Sequence, residues 1–412
     1  MTSERAVMSR YAWILLGLLV CFWGLVGINR LGIGYILPII RPLFHMSAFQ
    51  AGLLISGTSL TWAITSWLSG WLSDRFGRKA VMLPGAVFAC LTTMAMGGAW
   101  NWLSMFVIRD LIGVGDGVGW PSGQSALAEE VPPQRRALVA GVFTAGYPFF
   151  GSVIGAIVIT RLAVALGWRW VFPILGFVFL IVVLALWFYM REPKRGSVPE
   201  RLDWRNAIKM VRDYRVVLLM LIQSGALAWL QVSNLFNTLF LTGVRHVSLV
   251  NAGTILAVAG AVGIVGTLLL PFLSDYVGRR PVVLAGGVLC GLTLGLYIFG
   301  GFPLPVAIAL LALNSFFIGV VVPLGSATII VELVGEELRA ATMGLVNFVG
   351  VMIGTLALPA IAGAVADGYG IKIGFLLAAI CAGLSGLLIL GVPETAPRVL
   401  ARRAGRAAVA TT

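Results

Sequence analysis

The seven residues Ser73-Asp74-Arg75-Phe76-Gly77-Arg78-Lys79 return 201 positions later as Ser274-Asp275-Tyr276-Val277-Gly278-Arg279-Arg280. Both copies are charged turns between long apolar stretches. The same offset lays His45-Met46-Ser47-Ala48-Phe49-Gln50-Ala51-Gly52 on His246-Val247-Ser248-Leu249-Val250-Asn251-Ala252-Gly253, and an offset of 203 lays Glu129, Arg136, Gly141 and Gly151 on Glu332, Arg339, Gly344 and Gly354. Two registers that agree from the first loop to the fifth helix define a duplicated bundle whose halves run in the same direction.

With 59% hydrophobic and 11% charged residues, the chain has too little polar surface to cover a soluble globule. Apolar stretches long enough to cross about 30 Å of hydrocarbon recur throughout. We place twelve, at 11–40, 48–72, 80–99, 102–128, 136–164, 168–190, 216–242, 250–271, 281–300, 304–331, 340–366 and 372–392. They are continuously apolar rather than alternating, which selects helices over a barrel. The predicted fold is an all-α membrane protein of twelve transmembrane helices in two pseudo-symmetric six-helix bundles, 1–190 and 216–412, joined by a linker at 191–215.

Of the 29 Lys and Arg, 22 fall at the two termini and in the connections after even-numbered helices, which assigns those faces to the cytoplasm. The net charge of +13 therefore reflects topology and argues for no nucleic-acid partner. Arg5 and Arg10 precede the first apolar stretch in the manner of a signal peptide, but its length and the lack of a small-residue cleavage site keep it as a helix. Cys21, Cys90, Cys290 and Cys381 lack close partners or metal-like spacing and are read as packing residues. Pro193 and Pro199 mark the linker, where Trp204, Ile208 and Val211 would share one face of a short surface helix.

In the first charged turn, Asp74 ends a helix near a neighbouring helix dipole, Arg75 adds charge, and Arg78 can reach Glu129; the second copy offers Asp275, Arg279 and Glu332. These residues either gate the cytoplasmic side or anchor topology. The turn resembles the hallmark loop of the major facilitator superfamily, Gly-x-x-x-Asp-Arg-x-Gly-Arg-Lys, with Gly70, Asp74, Arg75, Gly77, Arg78 and Lys79 in place. The resemblance implies a secondary transporter with two bundles.

Arg30 and Asp116 lie deep in apolar helices, where a charge is costly and normally faces a cavity or a partner. The forked donors of Arg30 suit a carboxylate. Asp116 sits in Gly113-Val114-Gly115-Asp116-Gly117-Val118-Gly119, where small neighbours admit close approach. Desolvation opposes its charge and a nearby Arg supports it, a competition suited to a proton carrier. The alternative is that Arg30 simply neutralises Asp116 or Asp110.

These surroundings resemble the anion:cation symporters within the superfamily, which include galactonate and hexuronate carriers. There, an Asp-Arg pair lies eight residues before a Pro, and the fourth helix reads Arg, Gly-x-Gly-Glu-Gly, Pro. Here Asn29-Arg30 precede Pro38, and Arg109, Gly113-Val114-Gly115-Asp116-Gly117 and Pro121 follow; Gly167-Trp168-Arg169-Trp170-Val171-Phe172 fills that family's Gly-Trp-Arg-Trp-x-Phe turn. By resemblance, Arg30 binds the substrate anion and Asp116 exchanges the coupling proton, with Asp110 the next candidate. Asn29 in place of Asp leaves the proton count open.

Gly141, Gly146, Pro148, Gly151 and Gly155 in the fifth helix form a close-packing, bending face, and also partly resemble a Gly-Pro signature of proton-driven drug exporters. Tyr35, Gln231, Asn234, Asn237, Asn314 and Asn347 are candidates for lining the substrate cavity, the amides being equally suited to joining helices. His45 and His246 stand beside the caps Ser47 and Ser248 and are read as helix-entry residues. There is no nucleotide-binding loop, metal-ligand cluster or nucleophile with a base, so no cofactor, metal or enzymatic activity is expected. The reading is a monomeric, proton-coupled symporter of a small organic anion in the cytoplasmic membrane, both termini inside. A proton-driven exporter and a non-transporting membrane sensor are its rivals.

Overall fold

The computed structural model of the protein describes residues 8–192, 210, 212–335 and 338–402, apart from the side chains at positions 70, 71, 74, 133, 137 and 340. The surface helix predicted around Trp204 lies outside the described residues. Among the described residues, twelve long helical segments are present: α1 (Arg10–Leu43), α2 (Ala48–Phe76), α3 (Arg78–Ala95), α4 (Trp102–Asp116 and Gly119–Glu130), α5 (Arg136–Pro148, Phe149–Ile154 and Gly155–Ala165), α6 (Trp168–Tyr189), α7 (Tyr214–Gly243), α8 (Leu249–Val277), α9 (Arg279–Phe299), α10 (Leu304–Ile318, Val321–Pro323, Leu324–Thr328 and Ile329–Leu333), α11 (Arg339–Gly350, Val351–Ala357 and Leu358–Tyr369) and α12 (Ile371–Leu388). Among the described residues ten of these are long and apolar enough to cross a bilayer, and α2 and the interrupted α4 make up the twelve.

Local chemistry sets the helix starts. Ser47 and Gln50 exchange hydrogen bonds in a reciprocal cap, Asn101 accepts from the Ser104 N–H at 2.7 Å, and Ser9 accepts from the Ala12 N–H at 3.1 Å. The turns obey the repeat in their backbone angles. Gly77 and Gly278 have φ of 104° and 123°, Gly167 and Gly370 have 85° and 90°, and among the described residues the left-handed non-glycine ones are His45 at 49° and His246 at 55°. Histidine is among the side chains enriched in that region, which accords with the helix-entry role of both.

The long helices are less regular than the sequence suggests. The fourth and tenth are each expected as one run, yet α4 is interrupted at 117–118 and α10 at 319–320, again about half a chain apart. Segments Phe149–Ile154 of α5 and Val351–Ala357 of α11 are π-helical turns at repeat-related places, and α10 has another at Leu324–Thr328. Single π turns interrupt α-helices often at functional places.

Small residues set the packing. A Cβ at Gly113 would meet the Thr58 carbonyl at 2.6 Å, one at Gly117 the Trp62 carbonyl at 2.8 Å, and one at Gly115 the Gly85 carbonyl at 2.6 Å. Thus α4 lies directly on α2 along one flank and on α3 along another. In the second half, Gly287 of α9 faces the backbone of Gly386 in α12. Trp67, Phe177, Phe188 and Leu268 stay exposed, an apolar surface suited to lipid rather than water.

The chain forms two compact units that divide between Pro199 and Glu200, with Asn237–Ala257 grouped in the first. This differs from the expected boundaries, which assign all of α7 and α8 to the second. Gly253 at the start of α8 packs against Ala156 and Thr160 of α5, which accounts for its place in the first unit.

Candidate functional site

In the first unit, α1, α2 and α4 bring together the charges that the sequence singles out. Arg30 donates to the Ser59 hydroxyl at 3.2 Å, and its guanidinium lies 5.1 Å from the centre of the Trp62 ring. Asp116, the last residue of the first part of α4, is buried, and neither carboxylate oxygen has a hydrogen-bond partner among the described residues. Arg30 and Asp116 meet the same stretch of α2, since Arg30 lies over the Trp62 ring and Gly117, next to Asp116, packs against the Trp62 carbonyl. Among the described residues, no ion pair within 4 Å joins Arg30 to Asp116 or to Asp110. Asp110 is partly buried against Gly57, and one of its oxygens also lacks a partner.

Arg109 stands in the fourth-helix motif with no expected role. It is fully buried and bonds to backbone carbonyls on two helices: Leu54 at 2.7 Å, Asn29 at 3.2 Å and Arg30 at 2.7 Å. These bonds pin α4 to α1 and α2 beside Arg30. Asn29 is buried and donates to the Thr93 hydroxyl at 2.7 Å, which ties α1 to α3. Tyr147 of α5 packs its backbone against Gly27 of α1, about one turn from Arg30, and its ring lies 5.4 Å from Trp23. Trp23 in turn packs against Trp120 and Phe143, so an aromatic group adjoins the charged one.

The charged turns form the ion pairs expected from their spacing. Arg78 pairs with Glu129 in the first unit. In the second, Arg279 reaches Glu332 at 2.9 Å, Asp275 at 2.6 Å and the Ser274 hydroxyl at 2.6 Å, while Thr395 donates to Glu332 at 2.7 Å. Arg75 is exposed over the Phe76 ring, and the side chain of Asp74 lies outside the described residues. Both halves add an acid that sequence reasoning missed. Glu394 accepts the N–H groups of Arg279 and Arg280 at the start of α9, and Glu192, 202 positions earlier, accepts that of Lys79 at the start of α3. A carboxylate there satisfies orphan donors and complements the helix dipole.

The remaining candidates differ in how far their neighbours occupy them. Tyr35 is buried and donates to the Gly151 carbonyl at 3.0 Å. Asn314 donates to the Cys290 carbonyl at 2.7 Å and accepts from the Trp229 indole at 3.1 Å, linking α10 to α9 and α7. Asn347 is exposed and accepts from Gln223 at 3.3 Å. Gln231 and Asn234 are buried along α7, and the Asn234 amide nitrogen has no partner among the described residues, nor has the Asn237 amide oxygen.

A model of the Major Facilitator Superfamily matches residues 15–350 and 268–411. The chain belongs to that family and is a multi-pass membrane protein. The hexuronate transporter of Bacillus subtilis is 32% identical over 174 residues, 42% of this chain and 41% of that one, so the chain spans about two fifths of that relative's length. The cis,cis-muconate transport protein of Acinetobacter baylyi is 26% identical over 399 residues, covering 91% of this chain and 93% of its own. The crystal structure of a bacterial homologue of the human lysosomal transporter Spinster superposes with a TM-score of 0.82 at 18% identity, covering 93% of this chain and 98% of that one, which establishes the fold. The fold and the relatives are those of transporters and not of enzymes.

Proposed function

We propose that the protein carries a small organic anion, a carboxylate, across the cytoplasmic membrane together with protons, by alternating access of the two units. The observation that carries this reading is Asp116. Its carboxylate is buried without a hydrogen-bond partner among the described residues, and Arg30, which lies over the ring of Trp62, the residue whose carbonyl packs against Gly117, also has donors to offer an anion. An anion bound by Arg30 competes with Asp116 for that cation, so substrate and proton binding become reciprocally linked. The names of the relatives, a hexuronate and a muconate carrier, supply the carboxylate class. In this reading the termini are cytoplasmic, the working unit is a monomer, and the pairs of Arg78 with Glu129 and Arg279 with Glu332 hold the cytoplasmic ends of their helices in one of the alternating states.

The test is uptake of glucuronate and cis,cis-muconate into proteoliposomes under an imposed pH gradient. The Asp116→Asn variant is expected to keep substrate exchange while losing accumulation driven by the gradient. If it concentrates substrate as the parent does, Asp116 is not the coupling site.

A further inference from the structure

Tyr35 stands on α1 five positions beyond Arg30, and the carbonyl it holds belongs to the π-helical turn Phe149–Ile154 of α5. Backbone displaced from the regular ladder of a membrane helix needs a donor from a neighbour, and Tyr35 supplies one. The helices meet without intervening side chains there: a Cβ at Gly27 would lie 2.5 Å from the Tyr147 carbonyl, and one at Gly151 would lie 2.9 Å from the Gly27 carbonyl. The contact thus falls between Tyr147 and Gly151, about one turn of α1 from Arg30.

We propose that Tyr35 is a positioning residue: its hydrogen bond to Gly151 holds α5 in the π form and so sets the rotation of the part bearing Tyr147 against Arg30 and Asp116. Relaxing a π turn to an α turn shifts the register by one residue, which rotates one side of the helix by about 100° relative to the other. Tyr147 would feel that rotation; the anion's own contact at Arg30 would not. The device is one-sided. The second half has the related π turn Val351–Ala357, but the repeat partner of Tyr35 is Leu235 when the halves are aligned by helix end and Phe236 when aligned by histidine, and neither has a hydroxyl. The proposal rests on the anion-carrier reading and assigns Tyr35 to the conformational step rather than to anion binding.

The experiment compares the full-length parent with Tyr35→Phe. Hydrogen exchange without substrate is expected to quicken by about tenfold in 149–156 while 351–357 stays at the parent rate. With cis,cis-muconate and glucuronate as probes, affinity should stay within about threefold and the turnover of uptake should fall by about fivefold or more. Unchanged exchange in 149–156 would overturn the proposal. So would a loss of affinity of about tenfold with unchanged exchange, which would make Tyr35 an anion contact. Failure of the parent to take up either anion would count against the carrier reading alone, since the exchange comparison needs no substrate.

Discussion

Arg30 and Arg109 carry the same group in different surroundings. Arg109 binds three backbone carbonyls on two helices, whereas Arg30 donates to one hydroxyl and lies over one indole. Arg109 is therefore committed to fixing α4, and Arg30 retains donors for an anion. Lysine at position 30 keeps the charge but loses the planar fork and its stacking, so Arg30→Lys is expected to bind the substrate carboxylate about tenfold more weakly, or ~1.4 kcal/mol. Ligand-induced thermal shifts measure this, and unchanged affinity in Arg30→Ala would move the anion site elsewhere. Arg30 and Asp116 were legible in the sequence because a charge inside a long apolar run is conspicuous. The roles of Arg109, Glu192 and Glu394 were not, because their partners are backbone groups, which leave no residue-type signature at a fixed spacing.

Between elements, the two charged turns offer a comparison within one molecule. The Arg279 side chain is 8% exposed and Glu332 16%, against 18% and 29% for Arg78 and Glu129. The second pair is also braced by Asp275, Ser274 and Thr395. Double-mutant cycles by charge reversal should give a coupling of about 0.5–1 kcal/mol for Arg78 with Glu129 and about 1–3 kcal/mol for Arg279 with Glu332. Equal couplings, read from unfolding of the four single and two double variants, would show that exposure and bracing do not set their strength. The existence of these pairs could be read from the repeat. The interruptions could not: Gly117 and Gly319 suit close packing as well as a break, and the π turn of α5 is stabilised by Tyr35, which is 116 positions from Gly151 along the chain.

At the scale of the molecule, the duplication was legible because each half repeats its caps, left-handed turn positions and acidic partners in register. The grouping of Asn237–Ala257 with the first unit was not, since it rests on tertiary contacts such as that of Gly253 with α5. That grouping bears on the order in which the protein is made. At about 5–20 residues per second, synthesis delivers the first 199 residues roughly 2–8 s before position 237 and about 3–12 s before position 257. During that interval the nascent first unit lacks the segment that packs against Ala156 and Thr160. A chain stopped after Ala257 should therefore resist pulse proteolysis in membranes better than one stopped after Pro199, and equal resistance of the two would mean that the segment adds nothing to the stability of the first unit. Ribosome pauses placed between these positions would prolong a vulnerable stage, and fast codons there would shorten it.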